Sequence, residues 1–174
     1  MNNYPVWWDK SITVFNKFEH PTTHIIRWYK TILTDCFWKY TENQLTIGET
    51  VLETAVTLCR VPKSPMFRER YEWEQDLLAT YLTTLDNEQF CTALGEPVMT
   101  ADGIPEYCDF FTFGTGDIVI RGAVSDVVNE YVAGQRSSDL LTKYRRLQGC
   151  MVVQRCAVNT GEGRGNEHYL VKGV

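Results

Sequence analysis

Residues 24–40 read HIIRWYKTILTDCFWKY, a run dense in Ile, Trp, Tyr, Phe and Thr. Such side chains suit a pleated, half-buried surface. In CFWKY, Phe37 and Lys39 oppose Cys36, Trp38 and Tyr40, the period of two that a strand imposes. SITVF, residues 11–15, has the same β-branched texture, and the polar NKFEHPTT with Pro21 suits a hairpin connection between the two runs. NQLTIGETVLETAVTLCRVP reads as two more strands, with a turn or bulge around Gly48 and an end at Pro62. DIVIRG, bracketed by Gly116 and Gly122, reads as a central strand. CMVVQRCAVNT and HYLVKGV close the chain as a strand pair, with Tyr169 and Val171 alternating with Leu170 and Lys172. These runs restrict the fold to a mainly β class, a small β-barrel or sandwich decorated by short helices.

The helical pieces are few. MFRERYEWEQDLLATYLTTLD, residues 66–86, places Phe67, Tyr71, Leu78, Leu82 and Leu85 at helical spacing. DNEQFCTALGEP adds a second helix, with Asp86 or Asn87 as cap and Gly95 as stop, and residues 97–105 are loop-like. Residues 66–105 therefore form a partly helical insertion within a single β-rich domain spanning residues 1–174. SDVVNEYVAG and SSDLLTKYRRLQG read as two further short helices. The first is capped by Ser125 or Asp126 and stopped by Gly134; the second is capped by Ser137 or Ser138 and stopped by Gly149. Lys143, Arg145 and Arg146 sit in the last turns of the second, where the helix dipole favours cations.

A chain of 174 residues, 44% hydrophobic and 13% aromatic, is a folded domain with material for a real core. Its formal net charge of -5 argues against broad neutralisation of duplex phosphates, although an acidic surface lets a nucleic-acid backbone slide past. MNNYPVWWDK has no basic and then apolar leader pattern, so export is not expected. Cys36, Cys59, Cys91, Cys108, Cys150 and Cys156 are accordingly expected as reduced thiols. The absence of C-x-x-C and the positions of His20, His24 and His168 argue against a metal site, and no apolar run reaches membrane-spanning length.

Two glycine stretches invite a nucleotide-site reading. In NTGEGRGN, Gly161, Gly163 and Gly165 follow a strand, but a strand rather than a helix comes after them, and no Gly-Lys-Ser/Thr is present. A phosphate loop needs the helix N-terminus that is missing here, so these glycines are a flexible hairpin. In FGTGD, Asp117 opens a strand and can accept from backbone amides of its own turn. HPTTH lacks the helix and the glutamate of a zinc motif, and no Gly-x-Ser-x-Gly is present. These spacings give no catalytic residue and no cofactor, and the expectation is a protein that is not an enzyme.

The order of the pieces carries a resemblance. Residues 12–15 (ITVF), Trp38, residues 57–60 (TLCR), residues 116–119 (GDIV) and residues 169–173 (YLVKG) occur in the order seen in phage neck proteins. The chain resembles a family of uncharacterised proteins from the structural operons of tailed phages infecting Firmicutes. More loosely, it is similar to head-closure proteins, also called stoppers or head–tail joining proteins. The resemblance implies a small barrel assembled as a cyclic homo-oligomer of about twelve copies, seated beneath the portal and adaptor. Such a ring retains packaged DNA, which it meets only as non-specific channel content, and docks tail terminator or tail proteins. The resemblance also implies a virion location after synthesis in the host bacterial cytoplasm, with no membrane. A minor capsid or adaptor protein of the same operon fits the same pattern.

Two other readings make distinct demands. A small-molecule enzyme would gather Asp117, Arg121 and His168 in a deep pocket. An OB-like single-strand binder would expose Trp28, Tyr29, Phe37 and Trp38 as stacking platforms, whereas Trp38 is expected to be buried. The insertion is rich in aromatics and leucines, and one helix on a small barrel buries only one face. Trp7, Trp8, Phe67, Tyr71, Trp73, Leu78, Tyr81 and Leu82 are therefore the candidate subunit or partner interface. The glycine loops at 114–116 and 161–165 are expected to stay peripheral.

Overall fold

The computed structural model describes residues 5–19, 21–22, 24, 26–47, 50–84, 110–130, 134–160 and 167–174. Six strands are present: β1 (Lys10–Glu19), β2 (Ile26–Ile47), β3 (Thr50–Pro62), β4 (Ile118–Arg121), β5 (Cys150–Asn159) and β6 (His168–Gly173). All neighbours are antiparallel, in the order β1-β2-β3-β6-β5-β4, and β4 pairs back onto β1 to close a barrel. Of the barrel and the sandwich expected from the strand pattern, the barrel is the one formed. The helices described are α1 (Arg70–Thr84) and α2 (Ser137–Leu147).

Alternation along each strand builds two cores. Ile12, Val14, Cys36, Cys59, Val61, Val119, Met151, Val153, Tyr169 and Val171 share one buried cluster, each from the inward-facing set of its strand. Phe15, Ile118, Ile120 and Cys150 belong to a second cluster with Trp28, Val124, Val128, Leu140 and Tyr144, which is the outer wall of β1 and β4 covered by α2. A strand buried on both faces explains why the barrel needs a helix on one side only. The final strand is integral to this closure, because β6 lies between β3 and β5 and contributes Tyr169 and Val171 to the interior.

β2 serves two neighbours in succession. Its residues up to Cys36 pair with β1, and those from Phe37 onward pair with β3. The corner falls at Asp35, which has φ 57, beside a register shift between Lys10 and Ile12. An Asp tolerates this left-handed conformation better than most residues, and the bulge re-aims the strand. The two strands read separately at 24–40 and before Gly48 are thus one bent strand. At the other seam, a Cβ on Gly173 would lie 2.2 Å from the Val152 carbonyl oxygen, so β5 and β6 close only around a glycine.

The helices depart from expectation in two respects. Residues 125–130 are not helical: the Val124 amide donates to Thr13 Oγ1, the Asn129 amide to the Gln135 carbonyl, and Val128 is drawn into the outer cluster. Amides committed to tertiary partners, with a Val127-Val128 pair, leave little to gain from a helical turn. On α1, the packed face is not the one that runs through Phe67, Tyr71 and Leu78. Trp73 and Leu77 are buried and Tyr71 is exposed, because Trp73 meets the rings of Phe18 and Tyr29 at 6.2 and 5.7 Å. α2 forms as expected, but Arg136 rather than Ser137 or Ser138 is its N-cap. Gly149, with φ 96, returns its amide to the Tyr144 carbonyl just past the C-cap. The second helix expected from residue 86 and the glycine loop at 161–165 lie outside the described residues, as do Cys91 and Cys108.

Trp73 is 0% exposed and donates its Nε1–H to the Phe110 carbonyl at 3.1 Å. Trp73→Ala is expected to lower unfolding free energy by about 3–5 kcal/mol, measured by urea denaturation, whereas Tyr71→Ala should lower it by less than about 0.5 kcal/mol.

Candidate functional site

The most polar part of the interior lies where β1 ends and β4 begins. Asp117 is 0% exposed, yet its two oxygens accept four donors. Asn16 Nδ2 lies at 2.7 Å, the Lys17 amide at 2.8 Å, the Gly114 amide at 2.7 Å and Arg70 Nη1 at 3.0 Å. Asn16 also donates to the Thr112 carbonyl at 2.7 Å and accepts from the Thr112 amide at 3.3 Å. Arg70 donates further to the Lys17 carbonyl and, at 2.6 Å, to Glu74. Burial pushes the Asp117 carboxyl up from the usual carboxylate range, and Arg70, the two amides and Asn16 pull against that rise. A carboxyl that receives four donors and donates nothing here is bound as an anion.

This arrangement fastens; it does not react. Every oxygen lone pair that could meet a substrate is directed at a protein donor, and no atom of Asp117 reaches solvent. The turn role read for Asp117 from FGTGD is present in the Gly114 amide bond and in the Asp117 amide donating to the Gly114 carbonyl at 3.1 Å. Within the chain, the turn at 114–116 also passes close to α1. A Cβ on Gly114 would lie 2.8 Å from Arg70 Nη1, so the glycine is what lets the guanidinium pass. Arg70 and Asn16 were not singled out by sequence reasoning; the only signal for Arg70 is its i, i+3 and i+7 spacing with Trp73 and Leu77.

At the other end of β1 lies a groove of about 1030 Å³. Its walls include Trp38 and Tyr40 of β2, Thr57 of β3, Arg121 of β4 and Arg145 of α2, with Gln148 and Gly149 at its floor. Trp38, expected to be buried, is only half-buried. Arg121 and Arg145 are both exposed and have no ion-pair partner among the described residues. Glu42 is also in the lining, but accepts from the Tyr40 hydroxyl at 3.1 Å.

The candidate interface residues divide. Trp73 and Trp8 are spent inside the chain, Trp8 edge-on to His168 at 5.2 Å, so neither is open to a partner. Phe67 is half-buried and stacks on Tyr169 at 4.0 Å, which also takes it out of the outer surface. Trp7 is 55% exposed and meets Phe37 edge-on at 5.2 Å, and Tyr71 is 72% exposed. Leu78 is half-buried, and the Tyr81 and Leu82 side chains lie outside the described residues. Asp117, Arg121 and His168 are not brought together: Asp117 and His168 are buried, and only Arg121 lines the groove. Trp28 and Tyr29 are buried, which removes two of the four expected stacking platforms. Among the described residues there is no group of three or more metal-ligating side chains, and no helix is long and apolar enough to cross a membrane. Cys36, Cys59, Cys150 and Cys156 are free, and burial pushes the Cys156 thiol up to about 12, with Glu69 adding to the rise. Such a thiol is not a nucleophile at neutral pH.

A smaller polar cluster holds α2 to the wall. Asp126 accepts from Lys143 at 2.6 Å and from the Tyr144 hydroxyl. Partial burial raises its carboxyl, but these two donors outweigh that and hold it below the usual range. A depressed folded-state value means the contribution is complete above about 4, the unfolded value, and is lost as pH falls through the folded value. Asp126→Asn is therefore expected to destabilise the protein at pH 7, with the gap from wild type closing below about pH 4, as followed by urea unfolding across that range.

A family model described as a family of unknown function, DUF6751, matches residues 7–92. That stretch takes in β1, β2, β3 and the whole of α1. No curated protein and no solved structure matches the chain.

Proposed function

We propose that this chain is a non-catalytic structural subunit that works by assembly, in the head-closure position of a tailed-phage neck. The observation that carries this reading is an arm. Residues 41–47 of β2 and 50–56 of β3 pair with each other past the point where β1 and β6 stop, at Cys36 and Thr57 respectively. A two-stranded ribbon is marginally stable in water on its own, so a projecting one is suited to lie against another molecule. Among the described residues no further strand pairs with either of its outer edges, which leaves backbone groups for that purpose.

The sealed Asp117 network supports the same reading, because the most concentrated polar chemistry of the barrel serves as a fastening. A closed barrel with one projecting arm gives a subunit that joins different faces, as a ring requires. In the neck, a ring of such barrels would stand below portal and adaptor, with its acidic character keeping DNA from adhering to the lumen. Tail proteins would dock on the opposite side.

Electron microscopy of the purified protein and of virions tests this. Rings of the isolated protein, and density for them at the portal vertex, are expected. Virions in which the protein is absent from the portal vertex would contradict the neck assignment.

A further inference from the structure

The two ends of the barrel present different sets of exposed charged side chains. At one end the arm and the groove at its base present Arg121 and Arg145 beside Trp38 and Tyr40, with Arg146 exposed on the same last turn of α2. At the other end, α1 presents exposed Tyr71 and Glu72, with Glu69 exposed just before its first turn. Glu69 and Glu72 have no ion-pair partner among the described residues, whereas Glu74 is taken by Arg70 and Asp76 by Arg68. The separation is set by β1: Arg121 pairs with Ile12, while Trp73 packs on Phe18. Six residues of strand place these positions about 20 Å apart.

We infer that the groove beneath the arm receives the acidic, tyrosine-bearing face of α1 from a second copy of this chain. This rests on the reading of the chain as an assembling subunit and names the two surfaces that would meet. Three observations favour a second copy as the occupant. The charges are complementary: Arg121 and Arg145 in the groove, offset in part by Glu42, against Glu69 and Glu72. Tyr71, 72% exposed on a helix that buries Trp73 and Leu77 on its other side, has the size and the polar tip of an interface anchor, and the groove offers Trp38 and Tyr40 beside the cations. The arm, which runs past the last pairing of β1 and β6, would gain a surface to lie on. Because groove and helix are different patches at opposite ends, the contact is heterologous: each copy offers both, and association can continue around a closed ring.

Analytical ultracentrifugation over a concentration series tests this with Arg145→Glu, Glu72→Arg and an equimolar mixture of the two variants. Both positions are exposed, and circular dichroism verifies that each variant keeps the fold. Wild type is expected to self-associate, more weakly at high salt. Each single variant is expected to associate at least about tenfold more weakly. The mixture should recover association, since the groove of either variant then matches the helix of the other. Wild type that stays monomeric to about 100 μM, single variants that associate as wild type does, or a mixture no tighter than its components would each overturn the inference. Recovery in the mixture would uphold the contact even if virions lacked the protein at the portal vertex. A ring there with unaffected single variants would uphold the neck assignment and reject the contact.

Discussion

Asp117 holds together three pieces of chain that are distant in sequence. Its carboxylate binds the end of β1 through Asn16 and the Lys17 amide, the Gly114 turn, and α1 through Arg70. Placing a carboxylate at 0% exposure is costly unless its lone pairs are met. Here they are, and the guanidinium also donates to Glu74 and to the Lys17 carbonyl. Removal of a donor would leave the buried Asp117 carboxylate under-satisfied, so the network specifies a single arrangement as well as stabilising it.

From that fastening the rest of the layout follows. With Arg70 fixed, Trp73 is carried onto Phe18 and Tyr29, and Leu77 on the same side of α1 is buried with it. The face that remains outward is Glu69, Tyr71 and Glu72. The bend at Asp35 does the corresponding work at the far end, sending β2 off β1 and onto β3 and so creating the arm and the groove below it. One end thus carries α1, and the other the groove with Arg121 and Arg145.

Much of the fold was legible because strands write their inward face with a period of two. Ile12 and Val14, Val119, Met151 and Val153, and Tyr169 and Val171 all alternate in the sequence as they do in the barrel. The closing strand pair read from CMVVQRCAVNT and HYLVKGV is present as β5 and β6, with Asn159 opposite His168. What the sequence concealed were long-range polar choices. The packing face of α1 is set by one arginine reaching a carboxylate 47 positions away, and leucine spacing alone pointed to the wrong side. Residues 125–130 lost their expected helix because Thr13, 111 positions earlier, takes the Val124 amide. Trp8 and Trp73, chosen as interface anchors for their size, were claimed by the chain's own core for the same reason.

A double-mutant cycle between Arg70 and Asp117 measures the central interaction directly. Arg70→Met, Asp117→Asn and the double variant would be compared with wild type by equilibrium urea unfolding. A coupling energy of about 2–3 kcal/mol is expected, with the second substitution costing little once the first is made. Destabilisations that add within about 0.5 kcal/mol would contradict the account, because the two side chains would then be stabilising the fold independently.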